Sequence, residues 1–309
     1  MTGPAPALSV DGILVVCKPV GMTSHDVVDA VRDLAGTRRV GHTGTLDPGA
    51  AGVLVLAINR ATRVAEFLAE ADKTYRVEVT FGRSTDTGDI YGRTVRETHP
   101  ATVTAEQVED ALPLYLGEIE QVPPMASAVR VGGRRLYELA RRGQTVQPPA
   151  RRVRIYRLEL REFIPGDPPR AILDVACSKG TYVRRLCTDL GETLGCGAVA
   201  SFMVRTRVGR YELAHSHTLE ELQEAASGGR LAQLILPVDD ALADYPAVDL
   251  LPLQRRAAVH GQAIPLFRIP HWQRLAGARV VRLRDSHGLV ALARVEDGLL
   301  KPFKVLRES

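Results

Sequence analysis

Asp47 stands in Gly41-His42-Thr43-Gly44-Thr45-Leu46-Asp47-Pro48-Gly49-Ala50-Ala51-Gly52-Val53-Leu54, with four glycines in the first twelve positions. Glycines at that density let a backbone turn tightly and come close to a ligand. Such a loop displays the Asp47 carboxylate just ahead of a buried apolar strand. Asp-Pro is also an ordinary turn opener, so composition alone leaves Asp47 as either a turn residue or a reactive carboxylate. Three other stretches carry reactive types without the geometry for them. Ser24-His25-Asp26 has the residues of a hydrolytic triad, but neighbours at a helix start cannot converge on one atom, and the stretch reads as a cap. His215-Ser216-His217 puts two imidazoles on one strand face with no third metal ligand nearby. Gly41-His42-Thr43-Gly44-Thr45 lacks the Gly-Lys-Ser/Thr ending of a phosphate-binding loop, and no Gly-x-Gly-x-x-Gly follows a strand, so nucleotide cofactors lack sequence support.

The elements that must position Asp47 follow from periodicity. Val10–Cys17 is a β-branched apolar run stopped by Lys18-Pro19 and reads as a strand. Ser24 starts a helix in which Val27, Val28, Val31, Leu34 and Ala35 recur at helical spacing, and Gly36 stops it. Residues 52–58 form a buried strand by composition, 61–69 a helix, and 75–81 an alternating strand. Thr104-Ala105-Glu106-Gln107 and Thr218-Leu219-Glu220-Glu221 are capping boxes. Residues 152–163 and 171–177 read as a hairpin around Pro165-Gly166-Asp167-Pro168-Pro169, followed by a helix over 182–194. Strands and helices mix without regular βαβ alternation, which points to an α+β fold on a mixed, largely antiparallel sheet. Residues 238–253 read as a connection, and short strands at 280–284 and 289–295 imply a small β-rich second domain. The domain expectation is 1–245 and 246–309.

A chain of 309 residues, 45% apolar and 25% charged, is an ordinary globular composition of about two domains. Its beginning lacks a basic stretch followed by an apolar core, and no apolar run approaches the ~20 residues that span a bilayer. Cys17, Cys177, Cys187 and Cys196 show no C-x-x-C spacing. A cytoplasmic protein with no membrane partner is expected. The net charge of +4 is unevenly spread: ten arginines against two glutamates give +8 over residues 129–161, eleven cations against five acids give +6 from residue 245 onward, and the remainder is −10. Clustered arginine is the electrostatic footprint of a nucleic-acid backbone.

The Asp47 stretch, together with Lys18-Pro19-Val20-Gly21-Met22-Thr23-Ser24, resembles the signature blocks of the bacterial TruB family, the tRNA pseudouridine-55 synthases. Lys73-Thr74-Tyr75, Gly82-Arg83-Ser84-Thr85-Asp86-Thr87-Gly88-Asp89, Gln121-Val122-Pro123-Pro124-Met125-Ala126-Ser127-Ala128, and Cys177-Ser178-Lys179-Gly180-Thr181-Tyr182-Val183-Arg184 with Asp189-Leu190-Gly191 look like its later blocks, in the same order. The similarity covers residues 12–191, with a weaker tail to Tyr211. The basic C-terminal part is similar to the family's PUA module, through Gly288 and Lys301-Pro302-Phe303-Lys304-Val305. Where the family usually shows Gly-x-Ala-Thr-Lys, this chain has Asn59-Arg60-Ala61-Thr62-Arg63. Asn tolerates a left-handed backbone and Arg keeps the charge, so the geometry there is expected to survive. The match loosens over residues 197–205, a wall of the family's pocket.

The resemblance implies a pseudouridine synthase fold and isomerisation of uridine to pseudouridine at position 55 of the tRNA T-loop, with no cofactor and no metal. It makes Asp47 the catalytic carboxylate, Arg184 its cationic partner, and Tyr75 the aromatic that stacks on the base and relays a proton. Attack on the base, attack on C1′ and elimination to a glycal all remain open to Asp47. His42, Tyr182, Lys179 and Lys18 match positions lining the substrate pocket. Residues 121–152 would be a basic thumb gripping the RNA backbone through Arg130, Arg134, Arg135, Arg141 and Arg142. The expected partner is the T-stem-loop of tRNA, with no required protein partner and a monomeric chain. The rival from another class is a non-catalytic tRNA-folding chaperone on the same scaffold, against which Asp47, Tyr75 and Arg184 together argue. A glycoside or nucleoside hydrolase would need a second carboxylate that the sequence does not offer beside Asp47.

Overall fold

A computed structural model describes residues 8–98, 103–125, 127, 129–141, 144, 146 and 148–307, with the backbone alone at 130, 131, 135, 137, 140 and 141. The apolar run before Lys18-Pro19 forms β1 (Gly12–Lys18). Helix α1 (Ser24–Ala35) is capped by Thr23 rather than by Ser24. The Thr23 hydroxyl accepts the Asp26 N–H, the Asp26 carboxylate accepts the Thr23 N–H, and Gly36 closes the other end at φ 59°. Strands β2 (Val40–His42) and β3 (Ala50–Ile58) bracket the glycine-rich loop. Asn59 then takes φ 54° and donates its amide to Leu8 O and Val10 O, the left-handed position expected of it. The helix expected over 61–69 begins instead as a 3-10 turn, Asn59–Val64, and is α-helical only at α2 (Ala65–Ala69).

Strand β4 (Lys73–Phe81) alternates inward and outward as its sequence does, and β5 (Arg83–Thr85) pairs with β6 (Thr94–Glu97) as a small hairpin. Helix α3 (Ala105–Ala111), capped by Thr104 and Gln107, leads to β7 (Gly117–Gln121). The segment after β7 holds a second hairpin, β8 (Arg130–Val131) with β9 (Arg134–Arg135), and α4 (Leu136–Arg141). The hairpin read from the sequence is β10 (Arg151–Ile164) with β11 (Arg170–Cys177), followed by α5 (Val183–Thr193), β12 (Ala198–Val208), β13 (Tyr211–Glu212) and α6 (Leu219–Ser227).

The large sheet runs β1-β3-β12-β4-β11-β10-β7, with β2 added to β3 and β13 to β12. Its described pairings are antiparallel except β3 with β12, which meet in parallel at Ala50–Met203, Ala51–Val204 and Gly52–Arg205. One face buries Leu14, Val16, Leu54, Leu56 and Val77 against α1 and α5. The other buries Ile13, Val15, Val53, Val55 and Ala57.

Residues 238–253 are not a plain connection. They contain α7 (Val238–Ala241) and β14 (Ala247–Asp249), which pairs in parallel with β16 (Val281–Asp285). A three-residue strand between prolines carries no periodicity of its own, so only its distant partner reveals it. After α8 (Pro252–Val259) and β15 (Ile264–Pro265), strands β17 (Gly288–Glu296) and β18 (Leu299–Val305) complete a five-stranded sheet. Leu289, Leu292 and Leu306 pack into the cluster containing Ile13 and Val53, so the second sheet rests on the back of β1 and β3. Arg63 donates to Val305 O at 2.6 Å and Arg60 to Leu306 O at 3.2 Å across that seam. The fold is α+β. No helix among the described residues is long and apolar enough to cross a membrane.

Candidate active site

The loop from Thr43 to Gly49 is held at successive residues. Ser24, buried at the start of α1, takes the Leu46 N–H at 2.8 Å and gives its own proton to Leu46 O at 2.9 Å. Lys18, 0% exposed, donates to Met22 O at 2.6 Å, Pro19 O at 2.7 Å and Pro48 O at 3.4 Å. Thr43 N donates to Val55 O at 3.0 Å, and Ala50 N to Asp47 O at 3.0 Å. The third clamp is Arg205, 2% exposed, whose guanidinium donates to Val53 O at 2.8 Å, Thr45 O at 3.0 Å and Gly44 O at 3.1 Å. It therefore ties together the two strands of backbone that flank Asp47. No carboxylate pairs with Arg205 among the described residues. Three carbonyl dipoles compensate the buried guanidinium.

These clamps fix the backbone and leave the Asp47 side chain 34% exposed. Arg184, 5% exposed at the start of α5, meets it with two donors of one guanidinium edge: Nε to Oδ2 at 2.8 Å and Nη2 to Oδ1 at 3.2 Å. This bidentate geometry matches the planar fork to the carboxylate plane and fixes the carboxylate orientation. Arg184 Nη1 donates in turn to Thr87 O at 2.8 Å and to Asp89 Oδ2 at 3.3 Å. Asp89 is itself set by the Thr87 hydroxyl at 2.7 Å and the Tyr91 N–H at 3.1 Å. One buried cation is thus shared by two carboxylates, and only one of them, Asp47, presents a substantial face to solvent.

Tyr75 projects from β4 into the same interior, 9% exposed. Burial pushes its phenol above the ordinary tyrosine value, against the pull of the neighbouring Arg205 guanidinium, so it stays protonated at neutral pH. His42, at the end of β2, has a buried Nδ1 with no hydrogen-bond partner among the described residues. Burial foremost, with His25 and Arg205 adding repulsion, holds its imidazole below the usual histidine range.

The remaining expected pocket residues are elsewhere or otherwise engaged. Lys18 is a strut beneath the loop, its ammonium enclosed by carbonyls and lowered by burial to about 8. Lys179 forms an ion pair with Glu70. Tyr182 caps the approach to α5: Gln121 accepts its N–H at 3.0 Å and donates to its carbonyl at 3.3 Å, and its side chain packs against the cluster of Val129, Leu136 and Leu139. Arg134 is exposed on the β8–β9 hairpin. The side chains of Arg130, Arg135 and Arg141, and all of Arg142, lie outside the described residues. His217 faces Glu221 at 3.8 Å, and no group of three or more His, Cys, Asp or Glu suited to a metal occurs among the described residues.

Sequence reasoning missed Arg205. Its signal was a charged residue at the inward register of β12, two positions from the buried Met203, where an apolar side chain is the rule.

The model of the TruB family pseudouridylate synthase N-terminal domain matches residues 32–183, and that of the tRNA pseudouridylate synthase B C-terminal domain matches residues 184–243. A tRNA pseudouridine synthase B of Pelotomaculum thermopropionicum is 47% identical over 289 residues, covering 92% of this chain and 90% of the relative. One of Symbiobacterium thermophilum is 53% identical over 257 residues, covering 83% of this chain and 84% of the relative. Among solved structures, the crystal structure of a Cbf5-Nop10-Gar1 complex superposes with a TM-score of 0.72 at 25% identity, over 96% of this chain and 85% of that one.

Proposed function

The chain belongs to the TruB family of pseudouridylate synthases, and from that premise we propose that Asp47 is its catalytic carboxylate and that its target is uridine 55 in the T-loop of tRNA. The enzyme isomerises uridine in tRNA to pseudouridine. In that reaction the N1–C1′ bond breaks, a C5–C1′ bond forms, C5 releases a proton and N1 gains one, so no electrons enter or leave.

The observation that carries the assignment is the bidentate Arg184–Asp47 pair. The buried guanidinium holds both carboxylate oxygens in one orientation while the Asp47 side chain stays 34% exposed, open to a substrate. Attack on the base, attack on C1′ and removal of a C2′ proton toward a glycal all demand that same ionised group. Tyr75, a protonated phenol in the same interior, gives a proton to the departing base and receives the one that C5 loses. His42, neutral at physiological pH, contacts the nucleotide as it leaves the RNA stack. Tyr182 anchors the start of α5, which carries Arg184, to the base of the RNA-gripping segment.

The division of labour follows charge. Residues 1–245 form the catalytic unit and 246–309 a PUA-like RNA-binding unit. Within 121–152, Arg130, Arg134, Arg135, Arg141 and Arg142 take phosphates. Extruding a paired or stacked uridine costs a few kcal/mol, which arginine–phosphate contacts offset. The chain acts as a cytoplasmic monomer and needs no protein partner. Mapping pseudouridine by base-selective chemistry and primer extension on an unmodified tRNA transcript tests this reading. It expects one modified position, uridine 55, with the wild type and none with Asp47→Asn. Modification elsewhere, or by the variant, contradicts it.

A further inference from the structure

Tyr91 is a large aromatic side chain left 64% exposed on the loop that carries Asp89, the carboxylate sharing Arg184 with Asp47. Its ring lies against the catalytic loop. A Cβ added at Gly49, two residues after Asp47, would come within 2.8 Å of Tyr91 Cδ2 and closer still to Cε2. The missing side chain at Gly49 is therefore the space the ring uses. With one edge against Gly49, two residues from Asp47, the rest of the side chain remains exposed.

The loop beneath this ring is tied by four hydrogen bonds. Tyr91 N donates to Asp89 Oδ1 at 3.1 Å, Ile90 N to Ala200 O at 3.2 Å, Gly92 N to Asp89 O at 3.3 Å, and the Thr85 hydroxyl to Asp89 O at 2.7 Å. The backbone of Tyr91 is thus tied to the same Asp89 that orients Arg184. Nothing in the fold requires an aromatic side chain here, since the ring joins none of the core clusters of the described residues. Two residues on, Arg93 keeps a side chain 92% exposed while pairing with Asp86 at 3.1 Å, a surface ion pair of small strength that leaves the cation able to meet a phosphate.

An exposed, pre-positioned ring next to a site that receives a single nucleotide suits one class of ligand, the π-face of an unstacked nucleobase. Resting on the reading that the Asp47 site takes a uridine flipped from RNA, we propose that Tyr91 is a stacking platform for a nucleobase adjacent to the target uridine, held beside the site while the target occupies it. The platform holds the displaced neighbour out of the RNA stack and so keeps the target from falling back.

The test uses the full chain and an unmodified tRNA transcript, with wild type, Tyr91→Ala, Tyr91→Phe and a double variant combining Tyr91→Trp with Trp272→Phe. Because the ring is exposed, folding of the variants is expected to be intact. Tyr91→Ala is expected to raise the tRNA Kd by roughly five- to 100-fold, the range of one lost base–aromatic stack. Tyr91→Phe is expected to keep the wild-type Kd, and the indole fluorescence of the double variant is expected to be quenched on adding tRNA. Unchanged binding by Tyr91→Ala, or Tyr91→Phe behaving like Tyr91→Ala, overturns the platform; the second result would move the contact to the hydroxyl. If wild type itself neither binds nor modifies tRNA, the underlying reading falls and takes the platform with it, an outcome separable from the others by the wild-type arm alone.

Discussion

Gly52 and Arg205 meet backbone to backbone where β3 and β12 run in parallel: a Cβ on Gly52 would stand 2.9 Å from Arg205 N and nearer still to its carbonyl oxygen. That approach is what lets the Arg205 guanidinium reach over β3 to Val53, Thr45 and Gly44. Gly52 also holds φ at +107°, where an L side chain is strained. Gly52→Ala is expected to destabilise the fold by about 2 kcal/mol or more, from strain plus overlap, and to lower turnover by displacing the Asp47 loop. Urea midpoints of the two chains measure the first, and single-turnover rates the second.

Arg184→Lys keeps the charge and loses the fork. A lysine cannot present two parallel donors to Asp47 while also serving Thr87 O and Asp89, so the carboxylate loses its fixed orientation. Turnover is expected to fall by roughly 100-fold, the scale of one lost electrostatic positioning contact, with tRNA affinity nearly unchanged. A rise in KM with kcat intact would show instead that Arg184 only binds substrate.

His42 makes stability pH-dependent with a definite sign. Burial lowers its pKa in the fold below the 6.5 of an unstructured histidine, so as pH falls the unfolded chain takes up the proton first. Its contribution is full above about pH 6.5 and is lost as pH drops from there through the folded value. His42→Gln is expected to remove that part of the slope: the stability difference between about pH 7.5 and about pH 5.5 should shrink relative to wild type in urea titrations. An unaltered slope would mean the acid limb belongs to other groups.

The proposed phosphate contacts of the arginines in residues 121–152 are expected to set the salt sensitivity of tRNA binding. Each phosphate contact to RNA or DNA carries a slope of ~0.7–0.9 in log K against log salt. Replacing Arg130, Arg134, Arg135, Arg141 and Arg142 with Gln is expected to weaken tRNA binding and flatten that slope by about 3.5–4.5 units, one contact for each arginine. Equal slopes from nitrocellulose binding across salt concentrations would remove the thumb from the phosphate-gripping role.

Legibility in the sequence followed locality. Thr23 with Asp26, Thr104 with Gln107, and Thr218 with Glu221 are complete within four residues, and the helices they start were readable, although which residue of the first box caps was not. The β10–β11 hairpin and the left-handed Asn59 were likewise local decisions. At the site, glycine density exposed the Asp47 loop, whereas the partner Arg184, 137 residues away, came only through resemblance. Lys18 looked like a pocket cation and is a buried strut, because burial depends on loops that close over it from afar. Arg205 and β14 escaped for the same reason: each is defined by partners that no local pattern encodes.

Asp47 as the reacting carboxylate is tested most directly by tritium release from tRNA transcribed with uridine labelled at C5, since forming the C5–C1′ bond expels that hydrogen. Wild type is expected to release close to one equivalent per tRNA. Asp47→Asn, nearly isosteric and still able to accept a hydrogen bond from Arg184, is expected to release none while binding the same tRNA. Release by the variant at a rate near wild type would contradict the assignment and require another residue for the chemistry.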